Sequence, residues 1–326
     1  MSAKFTGLEQ PYRSLDNISI VDLRRRIRSL RKADLRTLSD TAASFRIRHV
    51  IDQYMFQVRA LQLTGIYRAR LNRPGELFST ASQLWYPPIE AVLRPSRLNG
   101  IGQVRFYASS TPNTAVFELR PKTGHAFTVL LATTSSRQVV SLNVAFIGLE
   151  RSLAPEVQHF TDKDSFRRSP TFRERLGSGN YKKWLLIDDY LSEIFGAEVP
   201  DGEEHLYKLT IALAKLLFEA PGVDAVSYPS VATSDHGINV CMNPAAADRV
   251  FAPLEAWVVE VGEKAVHPQS GMPLWRVQFI RTSQEIGPDG SITWRPPGEG
   301  IDQSEIMRFA RRRMEALNAW PKTSAT

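Results

Sequence analysis

The sequence has little of what a disulfide framework, a metal site or a membrane span requires. Cys241 is the single cysteine among 326 residues, so no disulfide framework can form within the chain. The six histidines show no metal-ligand spacing, and with one cysteine we expect no metal site. No run approaches the roughly 20 apolar residues of a membrane helix, and MSAKFTGLEQ lacks the apolar core of a secretory signal. We therefore expect a cytoplasmic protein that does not enter a membrane.

Common nucleotide-site and hydrolase motifs are missing as well. The chain has no G-x-x-x-x-G-K-[ST] phosphate loop and no G-x-S-x-G elbow. The segment GIGQVR begins like a dinucleotide fingerprint, but it lacks the third glycine and a preceding strand. These absences remove support from nucleoside triphosphatases, Rossmann dehydrogenases and serine hydrolases.

The net charge of +7 is concentrated near the N-terminus. Residues 1–60 hold 12 Lys or Arg against 6 Asp or Glu, a net of +6, so the remaining chain is close to neutral. The run RRRIRSLRK is most simply the solvated face of a helix, although a basic helix can also dock an acidic partner or nucleic acid. Aromatic residues for stacking on single strands are missing there. Nucleic acid is therefore an unlikely partner, and a nucleic-acid-binding module is the alternative outside enzymes.

The N-terminal pattern predicts two helices. Ser19 and Asp22 form a start signal for the first. A second helical pattern covers roughly 33–62 and ends before Gly65. Its predicted apolar side consists of Phe45, Ile51, Tyr54, Val58 and Leu61. Residues 1–64 are thus interpreted as a basic helical region.

Strands and helices alternate in the rest of the chain, which favours a mixed α/β class. IYRARL, residues 66–71, alternates as a strand, so Arg68 and Arg70 share one face. VRFYAS is the next strand, and Thr111 and Pro112 are a good cap and first residue for a helix. Loops and short helices are predicted over 150–182. Two long strands, a third after GPDGS, and a helix over 302–318 are predicted at the C-terminal end.

Glu118 is a lone acid in the apolar segment TAVFEL of that predicted helix. A solvated helix residue is the simple interpretation. However, the apolar surroundings indicate a buried helix, and the strand, capped turn and helix bring Tyr107 and Glu118 towards one cleft. A carboxylate beside a phenol suits the stabilisation of positive charge, as in breaking an N-glycosidic bond.

Five segments in order resemble the RES-domain family of NAD-degrading bacterial toxins, named for an arginine, a glutamate and a serine. The segments are YRAR, RLNGIGQVRFYAS, TAVFE, DAVSYPS and GINVCMNP, and together they span roughly 65–250. The residues that match the family's motifs are Arg68, Arg97, Asn99, Tyr107, Glu118 and Ser230. Leu98 departs from the tryptophan of many members, and the long span between Glu118 and Ser230 indicates an insertion within 121–205.

The resemblance implies a role for each matched residue. Arg68 would bind the dinucleotide's phosphates, with Arg70 able to substitute, and Tyr107 would cover the nicotinamide ribose end. Glu118 would stabilise the oxocarbenium ion, and the Ser230 hydroxyl would position substrate. Arg97 and Asn99 would contribute to substrate binding. For each of these residues a purely structural role remains the alternative.

The resemblance also implies a fold and a function. We expect a compact cleft domain of small twisted sheets with helices, similar to ADP-ribosyltransferase toxins, at 65–250, with residues 251–326 packed on it. The expected reaction is cleavage of the nicotinamide–ribose bond of NAD+, with phosphate or water as acceptor. NAD is then the substrate, so no cofactor is expected. An antitoxin protein is a further expected partner, and protein ADP-ribosyltransferase is the alternative within enzymes.

Overall fold

A computed structural model describes most of the chain. The described residues are 15–52, 54–63, 65–134, 141–152, 172–230, 232–233, 237–266 and 273–299. The helix predicted over 302–318 lies outside them.

In the described residues ten strands form one mixed sheet, and the predicted α/β class is confirmed. The strands are β1 (Gln57–Leu61), β2 (Gly65–Leu71), β3 (Phe106–Ser109), β4 (Ala126–Thr134), β5 (Leu142–Phe146), β6 (Ala225–Pro229), β7 (Ile238–Met242), β8 (Phe251–Val266), β9 (Pro273–Ile286) and β10 (Ile292–Trp294). Their order in the sheet is β1-β5-β6-β7-β3-β2-β4-β8-β9-β10. The pair β5–β6 is parallel and every other described pair is antiparallel.

The helices lie between and beside these strands. They are α1 (Ile20–Arg31), α2 (Asp40–Ile51), α3 (Pro112–Phe117), α4 (Leu149–Ser152), α5 (Phe172–Gly196, interrupted at Gly177), α6 (Lys208–Glu219) and α7 (Pro244–Val250). Single 3-10 turns occur at Leu15–Asn17, Ala81–Leu84, Ile89–Ala91 and Glu204–Tyr207. No described helix has the length and apolar character needed to cross a membrane.

The capping signals in the sequence mark true helix starts. The Ser19 side chain accepts a hydrogen bond from the backbone N–H of Asp22, and Thr111 accepts one from Thr114. Each cap satisfies an N–H group that the first helical turn leaves without a partner. The predicted starts of α1 and α3 are therefore confirmed.

The helix predicted over 33–62 is wrong in its second half. The helical part ends at Ile51, and residues 57–61 form β1, which pairs with β5 in register Val58↔Ala145. Of the predicted apolar side, Phe45 is 72% exposed, whereas Ile51, Tyr54 and Leu61 are buried and Val58 packs against the core. The buried side of α2 consists of Ala43, Ile47, Val50 and Ile51. Pairing with a strand more than 80 residues away overrides the local helical pattern.

Both ends of the described chain are joined to the central sheet. In α1 the residues Leu23, Ile27 and Leu30 are buried in the main hydrophobic core. Beyond residue 250, β8 pairs with β4 along nine residues, and β9 and β10 extend the sheet from there. The N-terminal helices and the C-terminal strands thus stabilise the segments that carry the site.

A second apolar cluster positions α3 against β2. Tyr67 and Ala69 of β2 pack with Ala115 and Val116 of α3, and residues of β4 and β8 complete the cluster. Because side chains alternate along a strand, Arg68 and Arg70 point to the other face of β2. The alternation predicted for this strand is therefore present.

Candidate active site

Glu118 stands at the C-terminal end of α3, where the helix stops. Its Oε1 atom accepts a hydrogen bond of 2.6 Å from Ser230 Oγ and another of 2.6 Å from Asn239 Nδ2. The Oε2 atom has no hydrogen-bond donor among the described residues. One carboxylate oxygen is therefore fixed by the protein, and the other remains able to interact with a ligand.

Ser230 and Asn239, the two hydrogen-bond donors to Glu118, are buried, and a further hydrogen bond orients Asn239. Ser230 is 0% exposed and Asn239 is 3% exposed. Ser109 donates a hydrogen bond of 2.7 Å to Asn239 Oδ1, which requires that the amide nitrogen faces Glu118. A chain of hydrogen bonds thus runs from Ser109 through Asn239 to the carboxylate, and Ser230 joins it from the other side.

Backbone pairing brings these residues together from distant parts of the sequence. The register of β3 with β7 places Ser109 opposite Asn239, and the backbone of Ser230 bonds to that of Gly237 at 2.8 Å. Gly237 is required by close contact with α3, since a Cβ atom there would lie 2.1 Å from Oγ1 of Thr114. The end of β6 and the start of β7 therefore abut the helix that carries Glu118.

Arg68 and Arg70 lie on the same face of β2 and have no carboxylate partner among the described residues. Arg68 donates a hydrogen bond of 2.6 Å to the carbonyl of Tyr107 and lies 5.4 Å from the centre of the Phe106 ring. Arg70 donates to the carbonyl of Trp85 at 3.0 Å. Burial, followed by the charge of Arg70, lowers the pKa of Arg68 to about 9, so it remains protonated at neutral pH. Burial also lowers the pKa of Arg70.

Hydrogen bonds to its hydroxyl group hold Tyr107 in place. The hydroxyl donates to Asn99 Oδ1 at 2.7 Å and accepts from the backbone N–H of Leu98 at 3.0 Å. Ser96 Oγ lies 3.0 Å from the same oxygen. Burial is the main reason that the pKa of Tyr107 is raised well above its ordinary value. The phenol is therefore neutral, and its ring is fixed where it borders the cleft.

Arg97 is attached to the end of α5. Its guanidinium donates to the carbonyl of Ala197 at 3.1 Å and to that of Ile194 at 3.5 Å, and it stacks on the Tyr207 ring at 5.5 Å. These contacts satisfy carbonyl groups that the helix end leaves without partners. They also hold residues 194–207 against the cleft.

A cleft of about 1530 Å³ brings most of the predicted site residues together. Its lining includes Arg68, Arg70, Arg97, Tyr107 and Glu118. Ser230 and Asn99 are not part of that lining: Ser230 lies one hydrogen bond behind Glu118, and Asn99 lies behind Tyr107. In the structure Ser230 supports the Glu118 carboxylate and Asn99 supports the Tyr107 hydroxyl, and the substrate contact predicted for both residues stays a prediction.

The cleft also contains residues that sequence reasoning missed. Asn239 belongs to the segment GINVCMNP, whose resemblance to the family is the signal that could have indicated it. Arg120 lines the cleft with a left-handed backbone, φ 49°, which a residue with a side chain seldom adopts. Its guanidinium donates to the carbonyl of Val199 at 2.6 Å. No local pattern in the sequence indicates either contact.

The charges along the cleft are mainly positive. The cationic lining residues are Arg68, Arg70, Arg73, Arg97, Arg120 and Lys264, and the acidic ones are Glu76, Glu118, Glu198 and Asp201. Arg73 and Arg120 have acidic neighbours, whereas Arg68 and Arg70 have none within ion-pair distance in the described part of the chain. Such a surface favours a ligand that carries negative charge beside β2. No group of three or more metal-ligating side chains occurs among the described residues.

Comparison with known proteins agrees with the motifs. The family model described as the RES domain matches residues 66–261, more than half of the chain. A search of the curated proteins found no match. The matched range contains β2 through most of β8, and with them Arg68, Tyr107, Glu118, Ser230 and Asn239. The chain therefore belongs to the RES domain family.

Proposed function

We propose that this protein cleaves the nicotinamide–ribose bond of NAD+ and transfers the ADP-ribosyl group to phosphate or water. Membership of the RES domain family is compatible with an enzyme that acts on NAD. The observation that carries the proposal is Glu118, which borders the cleft with one oxygen held by Ser230 and Asn239 and the other without a donor among the described residues.

The reaction requires a negative group at the ribose. When the glycosidic bond breaks, its electron pair leaves with nicotinamide, which becomes neutral, and positive charge moves to the anomeric carbon and ring oxygen. A carboxylate that is already oriented stabilises this charge without reorganising. Attack by phosphate gives ADP-ribose 1″-phosphate, whereas attack by water gives ADP-ribose and a proton.

The arginines of β2 supply the complementary contacts for the dinucleotide. A guanidinium binds phosphate oxygens through paired, charge-assisted hydrogen bonds. Arg68 lacks a counter-ion in the described part of the chain, so a pyrophosphate would offset the cost of its burial. The fixed ring of Tyr107 borders the same cleft and offers an apolar surface to the nicotinamide ribose end.

In a cell, this reaction would deplete NAD+, and we propose a toxic role on that basis. A protein that covered the cleft would then act as its antitoxin. The proposed setting is the cytoplasm, where NAD+ is available as the substrate. NAD is consumed in each turnover and is not a bound cofactor.

The test is incubation of the purified protein with NAD+, with and without inorganic phosphate, followed by mass spectrometry of the products. If water is the acceptor, we expect nicotinamide and ADP-ribose with or without phosphate. If phosphate is the acceptor, we expect nicotinamide and ADP-ribose 1″-phosphate only when phosphate is present. NADH is the matched control, because its dihydronicotinamide ring has no positive charge to lose and should not be released. ADP-ribose attached to a protein would assign the transferase alternative, and intact NAD+ throughout would contradict the proposal.

A further inference from the structure

A smaller cavity of about 440 Å³ adjoins the cleft, and Arg68 and Tyr107 line both. Its other polar lining residues are Arg94, Ser96, Asn99, Gln103 and Arg105. Val92, Leu93 and neighbouring apolar residues close the remaining wall. The volume falls within the range of cavities that hold small ligands, roughly 300–1,000 Å³. We call this space the small cavity.

The small cavity is lined by three arginines and no carboxylate. Arg94 lies at the edge, with 80% of its side chain exposed, and its nearest acid is Glu204 at 3.9 Å. Arg68 and Arg105 form no ion pair with any described residue. Within the described part of the chain, the charges of Arg68 and Arg105 are therefore not offset by an acidic residue.

Arg105 is held in place without being neutralised. Its guanidinium lies 4.2 Å from the centre of the Phe218 ring and donates one hydrogen bond, of 3.2 Å, to the carbonyl of Val104. The Nε atoms of Arg105 and Arg68 are buried, and neither has a hydrogen-bond partner among the described residues. Stacking and a single carbonyl leave most of the five N–H donors of Arg105 without an acceptor.

Arg68 and Arg105 carry like charges and line the same cavity, and burial deprives Arg68 of part of its hydration. An anion with several oxygens relieves both costs, because it offsets the charge and accepts the remaining N–H donors. The side-chain amide of Gln103 adds a neutral donor, since its Nε2 atom has no acceptor among the described residues while its oxygen accepts from Gly100. This set of donors fits a phosphate group.

We propose that the small cavity binds a phosphate group between Arg68 and Arg105, beside Tyr107. The group comes either from inorganic phosphate, which then enters the reaction as acceptor, or from the dinucleotide itself. The part that this phosphate group plays in the reaction rests on the proposed function, whereas its binding in the small cavity does not. Arg105 is thus assigned to anion binding, in addition to the arginine that the RES motif contains.

The test uses full-length protein carrying Glu118→Gln, so that NAD+ is consumed ~10²–10³-fold more slowly during the titration. Inorganic phosphate, ADP-ribose and NAD+ are titrated separately by calorimetry at constant ionic strength. Arg105→Gln removes the charge, Arg105→Lys keeps it, and Arg25→Gln is the control. Arg25 is an exposed arginine of α1, with 78% of its side chain accessible, and it loses the same charge far from the cavity in sequence.

We expect Arg105→Gln to raise the Kd for phosphate roughly ten- to hundredfold, since it removes charge-assisted hydrogen bonds. Arg105→Lys should give an intermediate value, and Arg25→Gln should stay within about twofold of the unsubstituted protein. Arg94→Gln, at the edge, serves if circular dichroism shows that Arg105→Gln does not fold. For Arg94→Gln we expect the Kd for phosphate to rise roughly threefold, because Arg94 is more exposed than Arg105.

Competition distinguishes the two sources of the phosphate group. If the cavity holds the acceptor, phosphate binds in the presence of saturating NAD+ and the Kd for NAD+ is unchanged in Arg105→Gln. If it holds a phosphate of the dinucleotide, phosphate competes with NAD+, and Arg105→Gln weakens ADP-ribose and NAD+ alike. Equal affinities for phosphate and ADP-ribose in Arg105→Gln and Arg25→Gln overturn the proposal, as does the failure of both ligands to bind. Failure of the proposed function would instead appear as intact NAD+ in the active protein.

Discussion

Two basic regions of this protein differ in what surrounds their charges. Helix α1 lies in the segment with the largest excess of arginine, yet three of its arginines have partners nearby. Arg25 pairs with Asp22 at 2.6 Å, Arg31 pairs with Glu193, and Arg26 donates to the carbonyl of His49 at 2.8 Å. Strand β2 contributes only Arg68 and Arg70, and neither has an acidic partner in the described part of the chain.

The comparison indicates that the burial of a cation and its lack of an acidic partner predict an anion site better than the number of charges in a segment does. The α1 charges are exposed, screened by salt and partly paired, so each offers a ligand little free energy. The β2 charges are partly dehydrated, and burial lowers the pKa of both guanidinium groups. A bound phosphate gains most where a cation is held by the fold and is not already neutralised.

The largest expected effect comes from Glu118→Gln, which removes a negative charge from the cleft that those cations line. The amide has nearly the same shape, so the fold should persist, but it cannot stabilise a developing positive charge. We expect the rate of NAD+ cleavage to fall ~10²–10³-fold. Nicotinamide release at saturating NAD+ measures this rate.

The control for Glu118→Gln is Glu76→Gln, the same change at another carboxylate of the cleft. Glu76 is 63% exposed along its side chain and lies 3.9 Å from Arg73. We expect its turnover to stay within about twofold of the original, because an exposed charge is screened. Equal turnover in the two variants would show that Glu118 has no catalytic role.

Ser230→Ala sharpens the comparison by removing one of the two hydrogen bonds that hold Glu118. A hydrogen bond to a charged group contributes about 1.5 kcal/mol, so we expect kcat to fall roughly tenfold. The KM for NAD+ should change little, because Ser230 does not line the cleft. Ser227→Ala is the control: Ser227 lies on β6 and is buried like Ser230, and its hydroxyl has no hydrogen-bond partner among the described residues. If both variants lose kcat equally, the hydrogen bond to Glu118 is not the cause.

Asp188 extends the comparison from buried cations to a buried carboxyl group. It is 1% exposed, accepts from the Tyr54 hydroxyl at 2.6 Å and from the N–H of Gly148 at 3.1 Å, and pairs with no described cation. Burial raises the pKa of Asp188 from 3.8 to about 6. Between these pH values the folded chain binds a proton that the unfolded chain has lost. The free energy of unfolding should therefore fall as pH rises from about 4 to 6, by about 3 kcal/mol from this group.

Urea unfolding of Asp188→Asn at several pH values tests that contribution. The variant should lack the decrease between pH 4 and 6 that Asp188 causes in the original protein. Asp189→Asn, the exposed neighbour, should keep it. An unchanged pH dependence in Asp188→Asn would mean that its carboxyl group titrates alike in the folded and unfolded chain.

The smallest effect is expected in α1. Replacing Arg24, Arg25 and Arg28 by Gln removes three exposed charges and leaves the buried Leu23, Ile27 and Leu30 in place. We expect NAD+ turnover to stay within about twofold and the melting temperature to change little. Loss of a specific, salt-dependent affinity for nucleic acid, in a protein that never cleaves NAD+, would instead favour the nucleic-acid-binding alternative.

Local sequence signals were sufficient to predict the parts of the fold that depend on interactions between residues close together in the sequence. Ser19 and Thr111 mark helix starts because a capping side chain bonds to an N–H two or three residues away. The alternation in IYRARL separates Arg68 from Tyr67 because side chains alternate along any strand. The second half of the predicted helix over 33–62 failed because β1 is stabilised by pairing with β5, which local periodicity does not record.

The site required information that no local pattern contains. Glu118 and Ser230 are 112 residues apart and are joined by one hydrogen bond. The resemblance to the family indicated both residues, but not that the serine supports the carboxylate. Asn239 was missed as a second donor because its role depends on the register of β7 with β3. Arg105, likewise, is distinguished from other arginines only by the cavity that it lines.

The central claim is that the cations of β2, and not those of α1, bind the dinucleotide. The most direct measurement is the Kd for NAD+ of Arg68→Ala and of Arg25→Ala, both in the inactive Glu118→Gln protein. Arg68→Ala should raise the Kd roughly ten- to hundredfold, because it removes about 1.5–3 kcal/mol of charge-assisted contact. Arg25→Ala should leave it unchanged. Equal Kd values in two folded variants would contradict the account and assign Arg68 to structure.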